Sequence, residues 1–195
     1  YAKLDDEPDF AAMIDTLGYG RDDRRLLELA ERSYEVMRCK VDPEAWMADC
    51  LRAYALPDGT PAEQTLWGAY YLKARRDALE SADAMLAQAE ALCRADAALE
   101  QKCLPLLQKN RETVHALMAE TTWDGCVETG LPSFGVMRMP KDAENAEQVK
   151  TLRDEAKQLL KTVQSYFYAP SERVVDDLRR TLPALRGLLT LLRRF

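Results

Sequence analysis

Histidine is all but absent. His115 is the only one, and no two of the five cysteines (Cys39, Cys50, Cys93, Cys103 and Cys126) form a CxxC pair. Zinc sites built from imidazole and paired thiolates are therefore excluded. So are haem and di-iron bundles, which need paired histidines. No Val, Ile or Thr run exceeds two residues, so the raw material of a sheet is missing. No run of 18 apolar residues exists to span a membrane, and no signal peptide is visible. The chain opens on Tyr1 rather than Met, as expected of a processed or truncated product. There is no Gly-rich phosphate loop, no HExxH and no GxSxG. No cofactor is expected, and no motif ties the sequence to a known family.

Ala, Leu, Glu, Arg and Lys dominate, all strong helix formers. With 47 % hydrophobic and 31 % charged residues in 195, the composition is that of a globular domain rather than a disordered one. The fold class expected is all-α: a compact bundle of six or seven helices with a long central helix and one long irregular loop. The whole chain, 1–195, reads as one helical domain. It can be subdivided into N-terminal helices (1–59), a long helical hairpin (60–123) and a C-terminal hairpin (142–195).

Local signals support this. Glycines at 18 and 20 end a first short helix from Pro8 to Leu17, and Asp22 or Asp23 starts a second, to about Lys40. Asp42-Pro43-Glu44 is a restart, with Asp42 as cap and Pro43 at the first helical position. Thr60-Pro61-Ala62-Glu63 has the form of a capping box. Beyond it, Leu72, Leu79, Leu86 and Cys93 recur every seven residues, as do Met85, Leu92, Leu99 and Leu106. The stripe is wider than a two-stranded coiled-coil seam and suits a helix touching two neighbours. It predicts a helix from Thr60 to about Leu104, with a helix kinked near Gly68 or Ser81 as the alternative. Asp124 to Lys141, with Gly125, Gly130, Pro132, Gly135 and Pro140, reads as the long loop. Asn145 with Gln148 can cap the helix that follows, and Ser171 the last one, which Pro183 is expected to bend. The cysteines on or beside apolar stripes read as buried free thiols, with disulfides as the alternative.

The formal net charge is −6, which argues against nucleic acid as a partner. The charge is uneven, however. Leu178 to Phe195 carries five arginines and no acid. That stretch reads as a core-facing helix, a docking surface, or a basic amphipathic segment able to lie on an anionic membrane.

Paired acids at Glu28/Glu31 and Glu80/Asp83 place carboxylates on one helix face, as a Mg²⁺-dependent helical hydrolase of phosphorylated substrates would need. The leading expectation is different. The chain reads as a soluble protein-binding module (adaptor, inhibitor, chaperone or small effector) rather than an enzyme, cytoplasmic or secreted, and able to form homo-oligomers. Its contact surface would comprise Trp67, Tyr70 and Tyr71 on the long helix and Phe134, Met137 and Met139 in the loop. Arg179, Arg180, Arg186, Arg193 and Arg194 would complete it. The two alternatives are the Mg²⁺ hydrolase and a peripheral membrane module docking through 178–195.

Overall fold

Helix propensity and amphipathic spacing are realised along almost the whole chain. The computed structural model describes residues 7–18, 23–140 and 143–194. Among these residues there are nine α-helices and no strand, so the fold class is as expected and the helix count exceeds the expected six or seven. The residues group into two units, one formed by 1–60 with 172–195 and the other by 61–171. The C-terminal hairpin foreseen at 142–195 is thus divided between them.

In the first unit, α1 (Pro8–Leu17), α2 (Asp23–Arg38) and α3 (Pro43–Arg52) share a core with α9 (Ser171–Leu192). Asp42 accepts the Ala45 amide at 2.9 Å and caps α3, with Pro43 in the first turn. One cluster joins Met13, Ala30 and Leu188, flanked by Phe10, Ile14 and Leu26. A second joins Met47, Leu189 and Leu192, flanked by Tyr34, Met37 and Trp46. α1 and α9 approach so closely at Gly187 that a Cβ there would overlap the Asp9 carbonyl. Only glycine fits. α9 runs unbroken through Pro183.

The second unit is organised by α4 (Leu66–Arg94), which packs against α8 (Ala146–Gln164) on one side and α6 (Leu104–Met118) on the other. Its buried stripe is Leu79, Leu86 and Cys93 of the seven-residue series read from the sequence, with Ala82 and Ala89 between them, while Leu72 is half-buried. The alanines leave room for two neighbours, so the wide stripe is explained. The expected single helix from Thr60 to Leu104 does not form. Thr60-Pro61 leads into a short 3₁₀ turn (Ala62–Gln64), and Thr65 becomes the cap, accepting the Gly68 amide at 2.9 Å. At the far end Asp96 accepts the Ala98 and Leu99 amides at 2.9 and 3.2 Å, starting α5 (Ala97–Lys102) afresh. An aspartate that caps two amides competes successfully with helix continuation.

The expected loop from Asp124 to Lys141 is shorter than its glycines suggest. Thr122 caps α7 (Trp123–Thr129), and the irregular segment begins at Gly130, whose φ of 63° suits glycine. Trp123 is buried, stacks 4.6 Å from Phe167 and donates its indole N–H to the Ala169 carbonyl at 2.9 Å. Asn145 makes no capping bond at the start of α8. Ser171 accepts the Ala62 amide at 2.7 Å through its hydroxyl, while Asp124 accepts the Ser171 amide. The hydroxyl that was to cap α9 is therefore spent on a neighbouring turn.

Candidate functional site

The aromatic residues expected at a surface are partly there. Tyr70 is 63 % exposed, Trp67 sits at the margin of exposure, and Tyr71 is half-buried. Tyr71 lies edge-on to Tyr70 at 5.4 Å and tilted against Tyr166 of the α8 end at 4.8 Å. The sequence reading missed Tyr166, because it adjoins the cluster only through the packing of α8 on α4. Lys73 beside it is paired with Asp77 at 2.6 Å.

The loop residues do not form the exposed patch expected of them. Phe134 is buried, and Met137 and Met139 are half-buried against the main core. Arg153 of α8 holds Phe134 there. It is 94 % shielded, lies 5.6 Å from the centre of the Phe134 ring and donates from Nη2 to the Gly135 carbonyl. Its Nε has no partner, and burial pushes its guanidinium below the usual arginine range. The same pinning leaves other loop atoms outward: Val136 is 87 % exposed and Leu131 is also exposed. Along the segment runs an open groove of about 640 Å³ lined by Lys102, Leu106, Val136, Met137, Arg138 and Met139. Lys102 and Arg138 were not among the expected site residues. The available signal was the lack of any acid from Thr129 to Lys141 in a chain of net charge −6.

The paired acids are not placed for a metal ion. Glu28, Glu31 and Glu80 are exposed. Asp83 receives both forks of Arg111 at 2.8 and 3.1 Å and lies 2.9 Å from His115 Nε2. Hydrogen bonding from Arg111 holds its carboxyl below the ordinary range. Arg111 also reaches the buried Glu90 at 3.4 Å, which Arg94 meets at 3.1 Å. The network ties α4 to α6, and its carboxylates are already neutralised by arginine. Among the described residues no three His, Cys, Asp or Glu groups are placed to hold a metal. The Mg²⁺ reading is corrected on that geometry. Its error was to treat Asp83 as a surface acid, when Arg111, 28 residues on, returns to it across the α4–α6 turn.

The basic C-terminal stretch is also committed within its own unit. Arg179 donates to the Leu56 and Pro57 carbonyls and meets Asp58 at 3.2 Å. Arg193 forks onto Glu44, and Arg194 meets Glu7. Arg180 and Arg186 are exposed. Leu188, Leu189 and Leu192 are buried, so the apolar face that a membrane would need is occupied by the core. That corrects the peripheral membrane reading. Among the described residues no helix is long and apolar enough to cross a membrane.

No family model matches the chain. Its sequence is similar to curated proteins named as subunits of an ATP-dependent helicase/nuclease. The one from Acetivibrio thermocellus is 26 % identical over 95 % of this chain and 16 % of its own length. That from Pelotomaculum thermopropionicum is 29 % identical over 95 % and 15 %. That from Geobacillus thermodenitrificans is 29 % identical over 100 % and 16 %. The chain thus spans about a sixth of the length of the relatives it matches. Helicase and nuclease are activities on nucleic acid. This finding overturns the expectation of a stand-alone adaptor, inhibitor, chaperone or effector, and the expectation that nucleic acid is no partner.

Proposed function

We propose that this chain is a helical portion of an ATP-dependent helicase/nuclease acting on DNA, and that it serves by shaping and contacting the nucleic-acid path rather than by catalysis. The observation that carries this reading is the similarity itself. It runs along 95–100 % of the chain in proteins of that name from Acetivibrio thermocellus, Pelotomaculum thermopropionicum and Geobacillus thermodenitrificans. The match covers only a small fraction of each relative, so most of their length remains to supply ATP turnover and strand cleavage.

The chemistry-capable groups of this chain support a structural role. Asp83 and Glu90 hold arginines, His115 holds Asp83, and burial pushes the Cys93 thiol up to about 11. None of these is poised as a base or nucleophile. α4, capped at Thr65 and braced by α6 and α8, supplies a rigid support of the kind a contact surface needs.

The test is a graft. This chain replaces the matched span of the Geobacillus thermodenitrificans relative, alongside a deletion of that span. The graft is expected to restore ATP-dependent unwinding that the deletion lacks, and the isolated chain to turn over neither ATP nor DNA. Unwinding at the parent rate by the deletion, or ATP hydrolysis by the isolated chain, would overturn the proposal.

A further inference from the structure

We infer that the groove beside residues 130–140, with its flanking lysines, is a contact site for single-stranded DNA. This rests on the reading above and gives it a location.

Three observations converge on the segment. First, it is free of acids. Between Thr129 and Lys141 the side chains are apolar, small or cationic, while the chain as a whole carries −6. Second, its cations are available. Lys102 and Arg138 line one groove, and both are exposed. Lys150 and Lys157 lie three residues before and four after Arg153 on α8. That spacing puts them beside the side chain that grips Gly135. All four are outside the ion pairs formed among the described residues, which engage Lys73, Arg94 and Arg111 of the same unit instead. Asp154 and Glu155 stand between Lys150 and Lys157 and offset them, so the free positive charge at the site is that of Lys102 and Arg138 on the groove itself. Third, the floor of the groove is apolar, formed by Leu106, Val136, Met137 and Met139.

This combination selects its occupant. Lysine and arginine at the rim match the phosphodiester backbone, and neutralising phosphates is the main source of affinity for any strand. An apolar floor offers nothing to a duplex, whose bases are stacked inward. It offers contact to the exposed faces of unpaired bases. A volume of about 640 Å³ accommodates a short stretch of strand. The loop is held in shape from beneath by Arg153 and Phe134, so the groove exists before the strand arrives and little ordering is required on binding.

The experiment is fluorescence anisotropy of a labelled 15-nucleotide oligothymidylate, titrated with the 195-residue chain from 50 to 200 mM salt. A duplex of equal length is the second arm. Two variants change the net charge equally: K102E/R138E on the groove and R52E/K73E elsewhere. Circular dichroism confirms that both keep the helical content of the parent. The groove pair is expected to weaken single-strand binding at least tenfold. It should also flatten the slope of log K against log salt by about 1.4, as for two lost phosphate contacts on a single strand. The control pair should change affinity less than threefold. Equal loss in both variants, tighter binding to the duplex, or no binding by the parent chain at 50 mM salt would each overturn the inference. None of these outcomes touches the graft experiment, so the broader reading stands or falls separately.

Discussion

Replacing Arg153 with methionine separates what a buried cation contributes to local shape from what it contributes to stability. Two interactions favour the arginine. Its bond to the Gly135 carbonyl is worth about 1.5–3 kcal/mol for a charged donor, and its position over Phe134 about 0.5–2 kcal/mol. Against them stand the removal of a charge from water, costing several kcal/mol, and the unmet Nε donor, at about 1–3 kcal/mol. The two sides nearly cancel. Methionine keeps the apolar stem and its flexible end can move into part of the space the guanidinium leaves, so the cavity is small. Urea denaturation of R153M should therefore give an unfolding free energy within about 1 kcal/mol of the parent, with an unchanged m-value.

The loop should behave differently, because its tie is gone while the core remains. Amide exchange at residues 134–137 is expected to accelerate about tenfold, the equivalent of roughly 1.4 kcal/mol of local protection. R153A, which also deletes the stem, should lose about 2–4 kcal/mol globally. A loss above about 3 kcal/mol in R153M, or unchanged exchange in the loop, would refute the reasoning.

Other consequences are directly measurable. Asp83 has its carboxyl held below its ordinary value of 3.8, so its stabilising effect is present above that value and lost as pH falls through the lower folded value. D83N should therefore be less stable than the parent by about 1–3 kcal/mol at pH 7. The gap should narrow below pH 3.8, and a gap constant down to pH 2.5 would sink the assignment. G187A forces a methyl group against the Asp9 carbonyl. Its melting temperature should fall as expected for a loss of about 1–3 kcal/mol, and an unchanged melting curve would deny the close approach of α1 and α9. Among the thiols, Cys39 is exposed, whereas Cys93, Cys103 and Cys126 are buried with raised pKa values. A thiol reagent at pH 8 should label Cys39 at once and those three only on denaturation; fast native labelling of Cys93 would contradict the burial.

What the sequence disclosed was set by how local the cause is. Asp42-Pro43 caps its helix as read, because both partners lie within one turn. The seven-residue series on α4 is buried as read, since helical periodicity needs no tertiary information. Ends decided by competition were misjudged: Asp96 offers its side chain to two amides and stops a helix whose apolar pattern runs on. The site was the least legible part. Phe134, Met137 and Met139 looked available because they sit among glycines and prolines, yet Arg153, remote in sequence, holds Phe134 inward, and the two methionines pack on the core, Met139 beside Cys103. The residues left outward, Lys102 and Arg138, are unremarkable singly and become a pair only across the groove. The tail arginines stood out by number, but Glu44 and Glu7 of the same unit engage two of them.

The division of the first unit into two stretches of sequence has a consequence for synthesis. Residues 61–171 contain every partner that their own core requires, so they can fold while translation continues. The helices of residues 8–52 cannot close their core until α9 emerges, because Leu188, Leu189 and Leu192 belong to it. At about 5–20 residues per second, the early helices wait on the order of ten seconds for the strip that completes them. During that interval Met13, Met47 and their neighbours stay open to water. Chaperone dependence and early degradation should therefore be concentrated in residues 8–52.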